Sequence, residues 1–199
     1  MSLLSRLRPR STTPIAPDWI PRIVDALLAT PGLLALTRSE AGDVARLMQV
    51  RRMPAGSAFI RQGDSALDGG MMLLLDGEVA IEKKGAGPHD EGLVVSIAQP
   101  GALLGEMGIL NAAPRSASCV ASTDVVLALL SSEALRELVE RSPRAAAKLA
   151  LGIASRLAEQ LRSTSNKLST LSQVTAAMHP TLDAASLAGA ARRQRGDLR

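Results

Sequence analysis

Residues 100–118 contain the residue types that bind a small anion attached to a sugar. Gly105 precedes Glu106, and further along the segment Arg115 precedes Ser116. A glycine lets the backbone approach a ligand closely, and the free amides that begin a helical turn after it favour an anion. The arginine fork and the serine hydroxyl suit phosphate oxygens, whereas the carboxylate suits a sugar hydroxyl. The spacing therefore predicts a nucleotide site.

Short strands separated by turns must position this segment. Between Arg51 and Leu130 glycines recur at short intervals and divide the chain into apolar or alternating runs. These runs predict strands at residues 57–61, 71–75, 78–83, 93–98, 116–121 and 125–130. Strands at spacings of about 8–12 residues are typical of an all-β sandwich or barrel. Residues 85–92, between two of the strands, predict a hairpin loop.

Helical patterns flank the strands on both sides. One short helix is predicted within 18–36, interrupted at Pro31, and a second over 39–49 with Ser39 as its N-cap. After the strands, Ser132 is predicted to cap a helix, and a long helix is predicted over 143–178 with His179 and Pro180 at its end. The expected organisation is a flexible arm over 1–17, a domain over 18–178 with its strands at about 51–130 and its C-terminal helices at 131–178, and a basic, disordered tail over 179–199.

The composition excludes several kinds of function. Aromatic residues make up 1% of the chain, too few for a protein that stacks nucleic-acid bases on rows of rings. The single cysteine, Cys119, excludes an intramolecular disulfide framework, and His89 and His179 offer no pair with metal-ligand spacing. We therefore expect no metal site, no cofactor and no catalytic set of residues that would make the chain an enzyme.

The net charge of +4 arises at the two ends of the chain, where arginines cluster. Basic ends usually remain solvated, and we expect no direct DNA binding. No apolar run reaches the roughly 18–20 residues of a membrane helix, and residues 1–17 lack the apolar core of a secretory signal. The expectation is a cytoplasmic protein without a membrane segment.

Two motifs carry a family resemblance. Residues 105–110 read Gly-Glu-Met-Gly-Ile-Leu, and residues 114–118 read Pro-Arg-Ser-Ala-Ser. This segment resembles the phosphate-binding cassette of the cyclic nucleotide-binding domain family, which includes the catabolite activator proteins and the regulatory subunits of cAMP-dependent kinase. The resemblance extends over about residues 33–165. It implies an α+β fold, an antiparallel β-roll or jelly roll flanked by N-terminal helices and by the C-terminal B helix and long C helix.

The resemblance also implies the roles of the candidate ligand-binding residues. Glu106 would bind the ribose 2′-hydroxyl, and Arg115 the equatorial phosphate oxygen. The amides of Gly105 to Met107, together with Ser116 and Ala117, would complete the phosphate cradle. Further candidates come from the C helix, where Arg156 would approach the ribose and Gln160 or Thr164 the base.

The implied function is a cyclic nucleotide receptor that changes its helix arrangement on ligand binding and so regulates an unknown protein effector or its own dimer. The first candidate ligand is cAMP, and cGMP or a cyclic dinucleotide are the others. The chain after Pro180 is too short for the helix-turn-helix of catabolite activators, so a stand-alone receptor is expected. The alternative is a nucleotide-independent scaffold. A homodimer through the C helix is expected for either, because a seam of apolar and threonine side chains recurs at Leu157, Leu161, Thr164, Leu168, Leu171, Thr175 and Met178.

Overall fold

The computed structural model describes residues 19–33, 35–65, 70–84, 93–111 and 113–196. The chain divides into two compact units, Met1–Ile153 and Ala154–Arg199. The helices and strands follow in the order α1 (Trp19–Ala29), α2 (Arg38–Leu47), β1 (Gln49–Met53), β2 (Ala58–Ile60), β3 (Gly70–Asp76), β4 (Val79–Lys83), β5 (Leu93–Ala98), β6 (Leu103–Leu104), α3 (Glu106–Asn111), β7 (Ser118–Ala121), β8 (Val125–Ser131), α4 (Ser132–Arg141) and α5 (Pro143–Gly196).

The strands form two four-stranded sheets, one in the order β1-β8-β3-β6 and one in the order β2-β7-β4-β5. Every strand pairing within them is antiparallel. The six predicted strands are confirmed, and with the helices on either side they form the expected antiparallel β-roll. The β4–β5 pairing joins Lys83 to Leu93 and confirms the predicted hairpin, whose loop over 85–92 lies outside the described residues.

Two strands escaped prediction from the sequence. In β1, Arg51 and Arg52 interrupt the apolar pattern, and the prediction had assigned Gln49 to the preceding helix. Strand β6 has two residues, Leu103 and Leu104, which is too short for an alternating pattern to develop. Both strands are recognisable only by their pairing with β8 and β3.

The core of the roll lies between the two sheets. Buried apolar side chains from both sheets contact one another there, including Leu74 and Leu127 from the first sheet and Val79 and Cys119 from the second. Because successive side chains of a strand point to opposite faces, each strand contributes alternate residues to this cluster. The cluster holds the two sheets together.

The helix before the roll begins at a different cap from the one predicted. The N-cap of α2 is Thr37, whose side chain accepts a hydrogen bond from the Glu40 amide while the Glu40 carboxylate accepts one from the Thr37 amide. This reciprocal capping box satisfies two amides that the helix leaves free. Ser39, the predicted cap, lies inside the first turn. The cap of α4 is likewise Ser131 rather than Ser132, because the Ser131 hydroxyl accepts from the Ala134 amide.

The last helix is longer than the sequence predicted. Helix α5 has 54 residues and ends at Gly196, so it passes the predicted end at His179 and Pro180. The tail over 179–199, predicted to be disordered, is therefore helical as far as Gly196. An interior proline removes one helical hydrogen bond at a penalty of about 3 kcal/mol. The residues after it are rich in alanine, leucine and arginine, which are strong helix formers.

Within the first unit, the beginning of α5 packs closely against the chain that follows α1. A methyl group added at Gly152 would lie 2.5 Å from Leu33 Cδ2 and 2.6 Å from the Gly32 carbonyl oxygen. In a helix, glycine is by itself only a weak breaker. The structure gives it a packing role, since any side chain there would separate α5 from the Gly32 turn.

Candidate functional site

The first part of the site is the turn between β6 and α3. Gly105 lies in this turn with a φ of +72°, a left-handed conformation that glycine adopts without strain. A methyl group at this position would lie 2.6 Å from Arg115 Nη1. The backbone conformation and the close approach of the arginine therefore both require glycine. Its carbonyl oxygen also accepts a hydrogen bond from the Gly108 amide, which closes the first turn of α3.

Arg115 is the second part of the site, and its guanidinium is fixed by backbone carbonyls. Nη1 donates to the Gly105 oxygen at 2.8 Å, and Nη2 donates to the Gly70 oxygen at 3.1 Å. Arg115 is only 8% exposed. Burial lowers the pKa of the guanidinium, whereas the nearby negative charges of Glu106 and Asp64 raise it. An arginine nevertheless stays protonated at neutral pH, so the site holds a buried cation.

The backbone around Arg115 is held as firmly as its side chain. Its amide donates to the Asp64 carbonyl at 2.9 Å, and its carbonyl accepts from the Gly63 amide at 2.8 Å. The turn after β2 thus supports the arginine loop from one side, while Gly70 and Gly105 hold the guanidinium from the other. An arginine restrained at both ends loses little conformational freedom when a ligand binds.

The remaining cassette residues lie in the same two loops. Glu106 begins α3 and is buried, Met107 follows it on the surface, and Ala117 lies half-buried beside the exposed Ser116. The Ser116 hydroxyl donates to Met107 Sδ at 3.8 Å, which connects the arginine loop to α3. The structure therefore brings together the six residues that the sequence predicted from residue 105 to residue 117, although their ligand contacts stay predictions.

The three predicted residues of the C helix lie on α5 in the second unit. Arg156 is half-buried, whereas Gln160 and Thr164 are exposed. The Thr164 hydroxyl donates to the Gln160 carbonyl at 2.9 Å, a bond within the helix. The acceptor is the main-chain carbonyl of Gln160, so this bond does not involve the side-chain amide of Gln160. The assignment of Arg156 to the ribose, and of Gln160 or Thr164 to the base, stays a prediction.

A cavity of about 250 Å³ lies beside Arg115. It opens to solvent and is lined by residues from both sheets, from the turn after β2 and from the arginine loop, namely Arg51, Phe59, Ile60, Arg61, Asp64, Ser65, Gly70, Met72, Arg115 and Leu129. Arg51 and Arg61 were not predicted as site residues from the sequence. The sequence signal for these two arginines was weak. Arg51 belongs to strand β1, which was not predicted, and Arg61 follows β2 outside any recognisable binding motif.

Neither metal nor thiol chemistry is supported in the described part of the chain. Among the described residues no group of three or more histidine, cysteine, aspartate or glutamate side chains could hold a metal ion. Burial raises the pKa of the Cys119 thiol to about 11, so the thiol stays protonated and unreactive at neutral pH. Across the same residues, none of the helices combines the length and the apolar character that a membrane-crossing helix requires.

Comparison with known proteins agrees with this geometry. Residues 50–142 match the model of the cyclic nucleotide-binding domain. The chain is 33% identical over 109 residues to a cAMP-dependent protein kinase regulatory subunit of Pyricularia oryzae, covering 55% of this chain and 26% of that protein. It is 36% identical over 111 residues to the cyclic AMP receptor protein of Thermus thermophilus, covering 56% and 50% respectively. The chain thus spans half or less of these two curated relatives.

A solved structure extends the similarity beyond the matched segment. A cyclic nucleotide-binding domain from Methylobacillus flagellatus superposes with a TM-score of 0.66 at 25% sequence identity. The superposition covers 75% of this chain and 82% of that one. The shared arrangement includes two antiparallel sheets with helices before and after them, which is the architecture described above.

Proposed function

Residues 50–142 form a cyclic nucleotide-binding domain, and from this premise we propose that the chain is a cyclic nucleotide receptor whose ligand is cAMP. One observation carries the proposal: Arg115 is a buried cation fixed by two carbonyls directly beside Gly105 and Glu106. Two relatives that are named for cAMP support the choice of nucleotide. cGMP and cyclic dinucleotides are the competing ligands.

The proposed contacts bind the ligand through both charge and hydrogen bonds. A guanidinium has five N–H donors, and Arg115 uses part of that set on Gly70 and Gly105. The remaining donors would bind the phosphate, together with the first amides of α3, which a helix leaves unpaired. The Ser116 hydroxyl would add a donor, and the Glu106 carboxylate would accept from the ribose 2′-hydroxyl.

The proposed output is a change in the C-terminal helices and in a homodimer that they form. Leu161 is 68% exposed and Leu168 is 60% exposed on α5, which is unfavourable for a helix that stays in water. A parallel helix pair would bury both leucines. Ligand binding can shift such an arrangement only by binding one helix arrangement more tightly than the other. Arg156, Gln160 and Thr164 would provide that difference by contacting the bound nucleotide.

Calorimetric titration of the full chain with cAMP, cGMP and 5′-AMP tests the receptor. We expect cAMP to bind, and Arg115→Ala to weaken it about 100-fold or more, since a charge-assisted contact to phosphate is lost. The control Arg38→Ala removes an arginine that is 70% exposed at the start of α2, and we expect cAMP affinity to stay unchanged.

The titration also separates the receptor from the scaffold. Binding of none of the three nucleotides to a folded chain would contradict the receptor and favour a nucleotide-independent scaffold. Equal cAMP affinity in Arg115→Ala and in the unmodified chain would contradict the proposed site. The proposal includes a reducing, cytoplasmic location, which the lone cysteine supports.

A further inference from the structure

The cavity beside Arg115 is lined by charged residues that do not belong to the cassette. Three arginines line it, Arg51, Arg61 and Arg115, against one carboxylate, Asp64, which gives a net charge of +2 for the lining. The other lining residues are apolar or neutral. A cavity lining with a net positive charge attracts an anion.

Arg51 faces the interior of the roll. It is two residues before Met53, which packs against the core cluster, and alternate residues of a strand share a face. Its neighbour Arg52 is on the outer face, where its guanidinium lies 5.7 Å from the centre of the Trp19 ring. Arg51 is half-buried all the same. A guanidinium on the inner face of a strand is unusual, because these positions normally hold apolar side chains.

The two additional arginines differ from Arg115 in their bonding. The guanidinium of Arg115 donates to two carbonyl oxygens. Within the described part of the chain, the side chains of Arg51 and Arg61 take part in no hydrogen bond and no ion pair. Their donors are therefore available to a ligand. Apolar residues on the same cavity wall, Phe59 and Leu129 among them, lower the local dielectric and strengthen any contact made there.

The size of the cavity indicates what it can hold. Its volume of about 250 Å³ is below the range of about 300–1,000 Å³ that is usual for whole ligands. Of the cassette residues described above, Arg115 is the one that lines it. A phosphate group fits this volume and matches the fork geometry of arginine side chains.

We propose that this cavity is a second phosphate subsite, in which Arg51 and Arg61 bind a phosphate group other than the cyclic phosphate held by the cassette. The group would be either the second phosphate of a cyclic dinucleotide or a separate phosphate anion. The subsite goes beyond the proposed receptor function, because a ligand with one phosphate, bound at the cassette, leaves the charges of Arg51 and Arg61 unpaired.

The full chain is titrated with cyclic di-GMP, with inorganic phosphate and with cAMP. The variants are Arg51→Gln and Arg61→Gln, and Arg52→Gln is the control that removes the same charge from the outer face of β1. We expect both cavity variants to have an affinity for cyclic di-GMP or for inorganic phosphate that is about tenfold lower or more, as for a lost charge-assisted contact. Their cAMP affinity stays within about twofold of the original, and Arg52→Gln leaves every affinity unchanged.

The probe that responds identifies the source of the phosphate. Weakened cyclic di-GMP binding assigns the group to a dinucleotide, and weakened inorganic phosphate binding alone assigns it to a separate anion. The subsite is overturned if neither probe binds the original chain, if the three variants behave alike, or if the cavity variants weaken cAMP as much as the phosphate probes. Thermal unfolding checks the fold of Arg51→Gln, and the exposed Arg61 supplies the test if that variant does not fold.

The test of the subsite can be distinguished from the test of the proposed receptor function. Loss of cAMP binding in Arg115→Ala reports on the cassette, whereas Arg51→Gln and Arg61→Gln report on the cavity. Arg51→Lys keeps the charge but not the fork, and we expect it to recover part of the affinity that Arg51→Gln loses.

Discussion

The two parts of helix α5 have opposite relations to solvent. In residues 143–153, apolar side chains such as Leu149 and Ile153 are fully buried in the first unit. In the second unit, Leu161 and Leu168 are largely exposed. Both parts have the spacing of an apolar helical stripe. The comparison shows that this spacing predicts a helix and one apolar face, but does not say whether that face meets the same chain or another one.

The largest effect is expected from a cavity made in the buried part. Leu149→Ala removes a side chain that is 0% exposed, and we expect the free energy of unfolding to fall by about 2–5 kcal/mol. Leu151→Ala, two residues along the same helix at 68% exposure, is the matched control and should change it by less than about 0.5 kcal/mol. Urea denaturation measures both values. Equal losses would show that Leu151 is buried by a contact outside the described chain.

A smaller effect is expected from a carboxylate that contacts the buried part. Glu40 accepts hydrogen bonds from Lys148 on α5 and from Thr37, which lower its pKa to about 2. The unfolded chain therefore binds more protons than the folded one between about pH 4.5 and pH 2, since 4.5 is the ordinary pKa of this carboxyl group. The stabilisation is present above this window and is lost as the pH falls through it.

The variant Glu40→Gln should reduce this acid dependence, and denaturation at pH 6 and at pH 3 measures it. Glu159→Gln is the control, because Glu159 pairs with Arg162 in the exposed part of α5, where both side chains are well exposed. Exposed pairs contribute little to stability. A steep loss of stability between these pH values that survives in Glu40→Gln would assign the acid sensitivity to another group.

The smallest effect on the chain itself is expected in the exposed part. Leu168→Ala removes a side chain that is 60% exposed, so the free energy of unfolding at high dilution should change by less than about 0.5 kcal/mol. If α5 forms the proposed homodimer, the same variant weakens association, which sedimentation at several concentrations measures. Ser163→Ala changes an exposed residue off the seam and should leave association unchanged. A monomeric mass for the unmodified chain, with and without cAMP, would contradict the dimer.

The strands and the cassette were accessible from the sequence because their signals are local. Glycines at short intervals bound the strands, and Gly105 and Arg115 lie in two connected loops. The cap of α2 was accessible in principle, since Thr37 and Glu40 have the spacing of a capping box. Ser39 was the predicted cap, because serine is also a preferred N-cap residue.

Other features depend on contacts between residues far apart in the chain. Strand β1 exists through its pairing with β8, and Gly70 is the partner of the Arg115 guanidinium although 45 residues separate them. The continuation of α5 past Pro180 also differs from the prediction, because proline usually ends a helix, whereas the residues after it are strong helix formers. No single window of sequence contains the β1–β8 pairing or the contact between Gly70 and Arg115.

Short-range spacing in the sequence is enough to predict the strands and a segment whose residue types can hold a sugar phosphate, whereas the β-roll and the cassette were predicted from the family resemblance. The tertiary structure alone decided that the Arg115 guanidinium is buried and held by Gly70 and Gly105. It also placed Arg51 on the inner face, where it lines the same cavity as that arginine. Charge acts through space rather than along the chain, so a cluster of three arginines from β1, from the turn after β2 and from the cassette exists only once the sheets have packed.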